Sequence, residues 1–293
     1  MTQTSHLIAV DVGNTAVKLA TIRQSDSVTR KREDEPAGIG PDHGGAELLE
    51  HCVLHHTDRW EQAVVDWAVG LFGTDRVVWR LASVRQSAAD PLIGAIQDAA
   101  SHAKIELVTR HQIPLTLDVE HPDRVGIDRL LSAYAAVQQA AVQQAATPTV
   151  VINAGTAITV DWIDQQNVYR GGAILPGIRL QSRSLSSDAE SLPTLKWSEL
   201  EALTVPATNT ADAMKAGILI GACAAIDELI RRYQRAPKSG GGKPQVVVSG
   251  GDATTISPHL KHSHQLCPNL VCRGLLDLPR SGGQPNEYGN AES

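Results

Sequence analysis

Two short glycine-containing turns, each set between runs of β-forming residues, lie about half a chain apart. The first segment reads LIAVDVGNTAVKLA over Leu7–Ala20, and the second reads VVINAGTAITVDW over Val150–Trp162. In both segments an apolar run leads into a turn of small residues and is followed by alternating apolar residues, which is typical of a β-hairpin. The repeat therefore predicts two similar β-rich halves within one chain.

Each turn carries residues that suit an anion. Asp11 aligns with Asn153, and Gly13 aligns with Gly155. Because glycine has no Cβ, the backbone N–H groups of such a turn can approach a phosphate closely. Two turns of this kind, facing each other, would hold a polyphosphate between them.

Asp11 ends an apolar run directly before the first turn. The structural alternative for an aspartate in this position is to cap the hairpin through an Asx turn. Mg²⁺ binds in proteins through one or two carboxylates together with phosphate oxygens and water. We therefore predict that Asp11 holds Mg²⁺ and that the first turn and Lys18 bind phosphate.

The composition argues against several classes of function. The chain has 293 residues, a net charge of −6, a pI near 6.0 and 3% aromatic residues, whereas nucleic-acid-binding domains are usually basic and rich in stacking platforms. No stretch approaches the roughly 18 apolar residues of a membrane span, and the N-terminus lacks the features of a secretory signal. We expect no nucleic-acid partner, no membrane anchor and a cytoplasmic location, with the four cysteines as free thiols.

Predicted strands and helices alternate along the chain, which indicates an α/β fold. The predicted helices are 60–72, 91–103, 130–146 and 211–234, and further strands are predicted at 77–84, 105–108, 169–174 and 246–248. We place a domain boundary after the third helix, so that residues 1–146 form one domain and 147–279 a second. The polar stretch 23–45 is predicted to be a loop, and 280–293 a disordered tail.

Two common nucleotide-binding motifs are absent from the sequence. The run Gly240–Lys243 resembles the end of a P-loop, but Pro244 stands where a P-loop has serine or threonine. The turn at Gly13 lacks the further glycines of a dinucleotide-binding motif, and a strand rather than a helix follows it. Any nucleotide site in this chain is therefore of another kind.

Two clusters of histidine and cysteine raise the possibility of a metal site. Neither cluster has a recognised zinc-ligand spacing, so we expect surface histidines instead. The clusters are His51, Cys52, His55 and His56, and His259, His262, His264 and Cys267.

Three polar residues lie at predicted helix starts. Asp128 occurs in HPDRVGIDRLL, where an acid in the first helical turn is favoured by the helix dipole. Arg129 next to it is compatible with an ordinary solvated charge, and Thr210 is a candidate N-cap. From these residues alone, structural and catalytic roles both stay open.

Seven motifs occur in an order that resembles the type III pantothenate kinases, which include the Bvg accessory factor homologues. The similarity extends from about Leu7 to Leu278. Each motif is weak alone, and the ordered set is specific. The motifs are DVGNT at Asp11, GIDR at Gly126, AGTAITVD at Ala154, YRGGAILPGI at Tyr169, NTADAMKAGILIG at Asn209, VVVSGGDA at Val246 and NLVCRGL at Asn269.

The resemblance implies the fold of the acetate-and-sugar-kinase/Hsp70/actin superfamily, with two ribonuclease-H-like halves and an ATP cleft between them. It implies ATP-dependent phosphorylation of pantothenate to 4′-phosphopantothenate, the first step of coenzyme A biosynthesis. It also implies a monovalent cation (K⁺ or NH₄⁺) and a homodimer, beside the Mg²⁺ expected from Asp11.

The resemblance also assigns roles to particular residues. Asp128 is expected to accept the proton of the pantothenate hydroxyl, and Arg129 to pair with either the pantothenate carboxylate or the transferring phosphoryl group. The expected ATP-binding residues are Asp11, Val12, Gly13, Asn14, Thr15, Lys18, Gly155, Thr156, Gly250 and Gly251. The expected pantothenate-binding residues are Gly126, Ile127, Asp128, Arg129 and, across a dimer interface, Thr210.

Two positions depart from the family pattern. Asn153 stands where the family usually has an aspartate that resembles the ligand of the monovalent cation; an amide oxygen can coordinate K⁺ but brings no charge. Val119 stands where the family often has a substrate-contacting tyrosine, and it cannot donate a hydrogen bond. Two alternatives therefore stay open: a kinase of another small hydroxylated substrate on the same fold, and a catalytically weak ATP-binding regulatory protein.

Overall fold

The computed structural model of the chain describes residues 6–22, 48–56, 59–73, 77–100, 103–142, 147–189, 191–198, 202–236 and 242–279. The loop predicted over 23–45 and the tail predicted over 280–293 lie outside these residues.

Both predicted hairpins are present and have matching registers. The first joins β1 (His6–Val12) to β2 (Ala16–Ile22), and the second joins β7 (Thr149–Ala154) to β8 (Ala157–Ile163). Asp11 pairs with Lys18 across the first hairpin, as Asn153 pairs with Thr159 across the second. The alignment of Asp11 with Asn153 is thus confirmed, although the second turn is one residue shorter.

Each hairpin belongs to a mixed sheet. In the first sheet the strands flanking the hairpin are β3 (Leu48–His55), β4 (Val77–Ser83) and β5 (Lys104–Leu107). In the second they are β6 (Thr116–Leu117), β9 (Val168–Pro176), β10 (Gln245–Ser249) and β11 (Gln265–Leu266). The strand order is β3-β2-β1-β4-β5 in the first sheet and β11-β10-β7-β8-β9-β6 in the second.

Helices cover both faces of each sheet. The longer helices are α1 (Trp60–Phe72), α2 (Gln86–Ala99), α3 (Ile127–Val142), α4 (Ile178–Asp188) and α5 (Thr210–Gln234), and the shorter ones are α6 (Ala253–Ile256) and α7 (Leu270–Asp277). Buried residues of α3 and α7 share one apolar cluster with both sheets, so these two helices lie between the sheets. Buried residues of α1 and α2 cover the outer face of the first sheet, and those of α5 cover the outer face of the second.

The alternation of side chains along β1 places Asp11 on the inner face of the first sheet. Ile8, Val10 and Val12 are fully buried against α1 and α2. Leu7 and Ala9 face the opposite way, toward α3 and α7, and a strand alternates its faces with a period of two. Full burial of one such apolar side chain stabilises the fold by about 1.5–3 kcal/mol. A shift of β1 by one residue in the sheet would expose these side chains and lose that free energy for each of them. This strand register therefore fixes the direction of the Asp11 carboxylate.

The remaining predicted elements agree with the structure except at some boundaries. The helix predicted at 91–103 begins earlier and ends earlier, at Gln86 and Ala99, with Pro91 on its exposed side rather than at its start. The helix predicted from Leu130 begins at Ile127. β6 precedes the predicted domain boundary at 146 but pairs with β9 of the second sheet, and the boundary itself stays a prediction. Within the described ranges, no helix has the length and apolarity required to cross a bilayer.

Candidate active site

The two glycine turns meet at the carboxyl ends of β1 and β7. The Thr15 and Thr156 hydroxyl oxygens lie 2.8 Å apart and share a hydrogen bond. Each turn is closed by its glycine amide, which donates to Ala16 in the first turn (3.1 Å) and to Ala157 in the second (3.0 Å). The side chains of Thr15 and Thr156 are exposed, so both turns border one open cleft.

Two further residues of the first turn have different surroundings. The Asn14 side chain is exposed beside Thr15. Val12 is fully buried in the outer apolar layer, so it can offer a ligand only its backbone.

His56, at the end of β3, supports the first turn from the outer side. Its Nε2 lies 2.9 Å from the Gly13 carbonyl oxygen, and its backbone amide donates to the Thr15 carbonyl at 3.3 Å. Because a carbonyl only accepts, Nε2 carries the hydrogen. The ring packs edge-on against Trp60. His56 was expected at the surface, but it is partly buried and contacts the first turn.

Asp11 is a buried carboxylate with few charges to balance it. It is 8% exposed. Burial raises the pKa of Asp11 to about 6, with the Lys18 charge opposing this rise and the Asp128 charge adding to it. The opposing and adding charges show that Lys18 and Asp128 both lie within electrostatic range of Asp11. A Mg²⁺ ion would stabilise the ionised form, and one carboxylate beside phosphate oxygens is the donor set that Mg²⁺ prefers, so the residues present fit this ion.

Asp128 lies in the first turn of α3, partly exposed, and its carboxylate folds back over Gly126. A Cβ on Gly126 would lie 2.5 Å from Asp128 Oδ1. Ile127 between them is buried in the central cluster, and Arg110 Nε donates to the Val125 carbonyl at 2.6 Å. These two contacts fix the segment before α3, and the absence of a side chain at Gly126 leaves room for the Asp128 carboxylate.

Arg129 forms a buried ion pair rather than the solvated charge that we considered. Its Nε and Nη2 donate side-on to Asp161 Oδ1 at 3.0 and 2.5 Å. Tyr169 donates its hydroxyl to the same oxygen at 2.7 Å, and Asp161 and Tyr169 are both 0% exposed. Burial and the Asp161 charge raise the pKa of Tyr169, so its hydroxyl stays protonated. The opposite edge of the Arg129 guanidinium keeps donors for a ligand.

Neutral oxygens surround the position equivalent to Asp11 in the second hairpin. Ser132 Oγ donates weakly to Asn153 Oδ1 at 3.4 Å. Thr159, the cross-strand partner of Asn153, has a buried side chain next to the Asp161 carboxylate. Carbonyl and hydroxyl oxygens can replace the hydration shell of K⁺, so this donor set fits a monovalent cation, and the neighbouring carboxylate of Asp161 is paired with Arg129.

The loop after β10 lies against the second turn. Gly250 has φ of 103°, and a Cβ there would lie 2.1 Å from the Ala154 carbonyl oxygen. The Asp252 amide donates to the same oxygen at 3.0 Å. Gly251 is exposed next to it. The two glycines predicted to bind adenosine are thus brought to the edge of the same cleft.

Thr210 and Val119 are placed differently from these residues. Thr210 is exposed and is the first residue of α5, whereas the N-cap is Asn209, whose side chain accepts the Asp212 amide. The expectation that Thr210 caps the helix is therefore wrong. Val119 is partly buried, packs against the central cluster and lies 3.5 Å from where a Cβ on Gly171 would be.

Neither histidine cluster assembles metal ligands. Within the described ranges no group of three or more His, Cys, Asp or Glu side chains could hold a metal ion. In the second cluster His262 Nδ1 pairs with Asp227 at 2.8 Å, and His264 Nε2 pairs with Ser257 Oγ at 2.6 Å. No cysteine of the chain is in a disulfide.

The sequence profile of the type III pantothenate kinases matches residues 7–232. The chain belongs to this family. A type III pantothenate kinase from Rhodopirellula baltica is 33% identical over 285 residues, covering 92% of this chain and 97% of the relative. Another, from Rubrobacter xylanophilus, is 30% identical over 279 residues, covering 93% and 96% respectively. The family expected from the seven motifs is confirmed.

A solved structure supports the fold. A protein described as a conserved putative Baf family transcriptional activator from Campylobacter jejuni aligns with a TM-score of 0.54 at 18% identity, over 92% of this chain and 96% of its own. At this identity the likeness concerns the fold alone. Together with the two hairpin-containing sheets, it confirms the expected fold of two ribonuclease-H-like units.

Proposed function

We propose that this type III pantothenate kinase transfers the γ-phosphoryl group of ATP to the primary hydroxyl of pantothenate, which yields 4′-phosphopantothenate for coenzyme A biosynthesis in the cytoplasm. The observation that carries the proposal is the meeting of the turns at Thr15 and Thr156, with Asp128 in electrostatic range of Asp11. One cleft thereby offers a site for phosphates and a carboxylate for the acceptor hydroxyl.

At the phosphate end, the Lys18 ammonium binds phosphate oxygens together with the backbone N–H groups of both turns other than those of Gly13 and Gly155, which close the turns. Asp11 holds Mg²⁺, which supplies charge neutralisation when it is bound. Phosphoryl transfer depends mainly on positioning and on electrostatic stabilisation of the developing charge. Thr156 fixes the second turn against the first, and Gly250 and Gly251 accommodate adenosine.

At the acceptor end, Asp128 orients the pantothenate hydroxyl and takes its proton. The direction of its carboxylate depends on the space over Gly126. Asp161 occupies one edge of the Arg129 guanidinium, and the other edge is free to bind the pantothenate carboxylate in a planar, paired contact. The hydroxyl contact that a tyrosine would make is absent at Val119.

Two further parts of the proposal concern the ion and the assembly. A monovalent cation, where it binds, is held by the neutral oxygens around Asn153. We also propose a homodimer in which Thr210 of one copy contacts pantothenate in the other; Gly217, Ile220 and Gly221 on the exposed face of α5 allow close helix packing.

The test of the reaction is an assay of ADP release from Mg-ATP with and without pantothenate, in K⁺ and in Na⁺ buffers. Pantothenate-dependent turnover is the expected result. ADP release that depends on a different hydroxylated compound instead of pantothenate would favour another kinase activity. Nucleotide binding without turnover on any acceptor would favour a regulatory protein. Size-exclusion chromatography with light scattering tests the dimer.

Asp128→Asn tests the assignment of the proton acceptor. We expect kcat to fall by about 10²–10⁴-fold with unchanged unfolding temperature, because the carboxylate is partly exposed. Asp123→Asn is the matched control, since Asp123 is exposed five residues earlier in the same segment. Near-normal turnover of folded Asp128→Asn would remove Asp128 from the mechanism.

A further inference from the structure

Arg179, in the first turn of α4, lies at the cleft but was not among the residues expected to bind a ligand. Its Nε donates to Asp252 Oδ1 at 2.7 Å. The Asp252 side chain is 5% exposed, whereas that of Arg179 is 49% exposed. The ion pair therefore has a fixed, buried anion and a cation whose outer part faces solvent.

The backbone around this pair places it between the second turn and the loop after β10. The Gly177 amide donates to the Thr156 carbonyl at 3.0 Å, and a Cβ on Gly177 would lie 1.9 Å from the Gly155 carbonyl oxygen. α4 thus begins in backbone contact with the second turn. Asp252 is tied by its amide to Ala154, at the end of β7. Arg179 consequently bridges from the second turn to the loop that carries Gly250 and Gly251.

A second cation, besides Arg179, lies near Asp252. Lys18, on the first hairpin, lies within electrostatic range of Asp252 as well as of Asp11. Lys18 of the first hairpin and Arg179 beside the second turn are thus both near Asp252. The phosphates of an ATP molecule bound between the two turns would lie within reach of both cations.

We propose that Arg179 is a nucleotide-binding residue, in which Asp252 fixes Nε and the two Nη groups bind phosphate oxygens of ATP. This inference rests on the proposed function, because it takes the cleft to be the ATP site. A guanidinium held at one nitrogen loses little further conformational freedom on binding, and its planar donors match phosphate oxygens. Asp252 is accordingly a positioning residue rather than a ligand.

The test measures binding of ADP and of adenosine to the full chain by calorimetry, without pantothenate. For Arg179→Gln we expect the Kd of ADP to rise by about 10–100-fold, as for loss of hydrogen bonds to a charged group, while the Kd of adenosine stays unchanged. Arg179→Lys keeps the charge without the paired donors, so its Kd for ADP should lie between those of the wild type and Arg179→Gln. Asp252→Asn keeps a hydrogen-bond acceptor for Arg179 Nε but removes the charge. We therefore expect the Kd of ADP to rise less than in Arg179→Gln, and the Kd of adenosine to stay unchanged.

Arg183→Gln is the matched control, because Arg183 is exposed one helical turn further along α4, and it should bind ADP as the wild type does. Unchanged ADP affinity in Arg179→Gln would overturn the inference. An equal loss of ADP and adenosine affinity would also overturn it, since that result indicates a disturbed loop rather than a lost phosphate contact. If the wild type binds ADP as expected but does not phosphorylate pantothenate, the proposed reaction fails while this inference stands; if the wild type binds no nucleotide, both fail.

Discussion

Replacing Asp11 by asparagine should stabilise the fold and abolish the activity. Burial raises the pKa of Asp11 from 3.8 to about 6 even though Lys18 opposes the rise. A carboxyl group whose pKa is higher in the folded state than in the unfolded state disfavours folding once it ionises. This cost is absent below about pH 3.8, grows between about pH 3.8 and 6, and is complete above about pH 6.

The size of the cost follows from the two pKa values. The difference between 3.8 and about 6 corresponds to about 3 kcal/mol of folding free energy. Urea unfolding of Asp11→Asn in EDTA should therefore give a free energy of unfolding about 3 kcal/mol above that of the wild type near pH 7.5, and only about 1 kcal/mol above it near pH 4.5. Because Asp11 is the proposed Mg²⁺ ligand, its loss should also lower kcat/KM by at least about 100-fold.

The sign of the stability change shows whether the buried charge of Asp11 opposes or favours folding. Asparagine can form the same Asx turn as aspartate, so a capping role alone would leave the stability of the variant close to that of the wild type. A charge that favoured folding would make the variant less stable near pH 7.5. A variant that is less stable than the wild type near pH 7.5 would therefore refute the reasoning. Asp98→Asn is the control, because Asp98 is exposed on α2, and its stability should match the wild type. Mg-ATP should raise the unfolding temperature of the wild type but not that of Asp11→Asn.

Three further substitutions test the acceptor side and the ion. Gly126→Ala puts a methyl group 2.5 Å from Asp128 Oδ1, so the carboxylate must move, and we expect kcat to fall by about 100-fold with little change in melting temperature. Asn153→Asp adds a negative charge among neutral oxygens, so kcat/KM measured in K⁺ relative to Na⁺ should rise above the wild-type ratio. Tyr169→Phe removes a donor to Asp161, so stability in urea should fall by about 1–3 kcal/mol and the KM for pantothenate should rise.

Each substitution has a matched control. Gly94→Ala adds a methyl group where nothing lies within 4 Å of it; if Gly126→Ala is as active as this control, the carboxylate does not need the space. Asn167→Asp changes an exposed turn, and an equal response to K⁺ in both aspartate variants would argue against an ion at Asn153. Tyr134→Phe removes a weaker hydrogen bond, at 3.3 Å to a backbone carbonyl; equal effects on the KM for pantothenate would mean that Tyr169 does not position Arg129.

The parts of the fold that the sequence predicts are those that depend on local pattern. Both hairpins are recognisable because alternation and small turn residues occur within about a dozen positions, and α1 is predicted with its observed bounds, Trp60–Phe72. α7 is only eight residues long, and α4 is rich in serine and arginine with few apolar positions. Neither helix is among those predicted, because in a run this short the periodicity does not distinguish a helix from a strand or a loop, although α7 packs between the sheets.

The same distinction applies to the site. The turn residues and Asp128 are predictable because a motif or a helix start carries them. Arg179 and Asp252 lie 73 positions apart, and Arg129 and Asp161 lie 32 apart. Nothing in the local sequence pairs these residues, because each contact depends on how helices are placed against the second sheet.

The two hairpins differ in the charge of the equivalent side chains that face the cleft, and this difference gives each hairpin a different role in the proposed mechanism. Asp11 and Lys18 form a charged cross-strand pair in the first hairpin, whereas Asn153 and Thr159 form a neutral pair in the second. In the proposed mechanism the divalent ion binds in the first half, because the cross-strand pair nearest the turn contains a carboxylate there and an amide in the second half. One step further from the turn, the first hairpin has an alanine where the second has Asp161, opposite Val151. That buried carboxylate binds Arg129 of α3, so the second hairpin, which lacks charge at its turn, instead holds the helix that carries Asp128, the proposed proton acceptor.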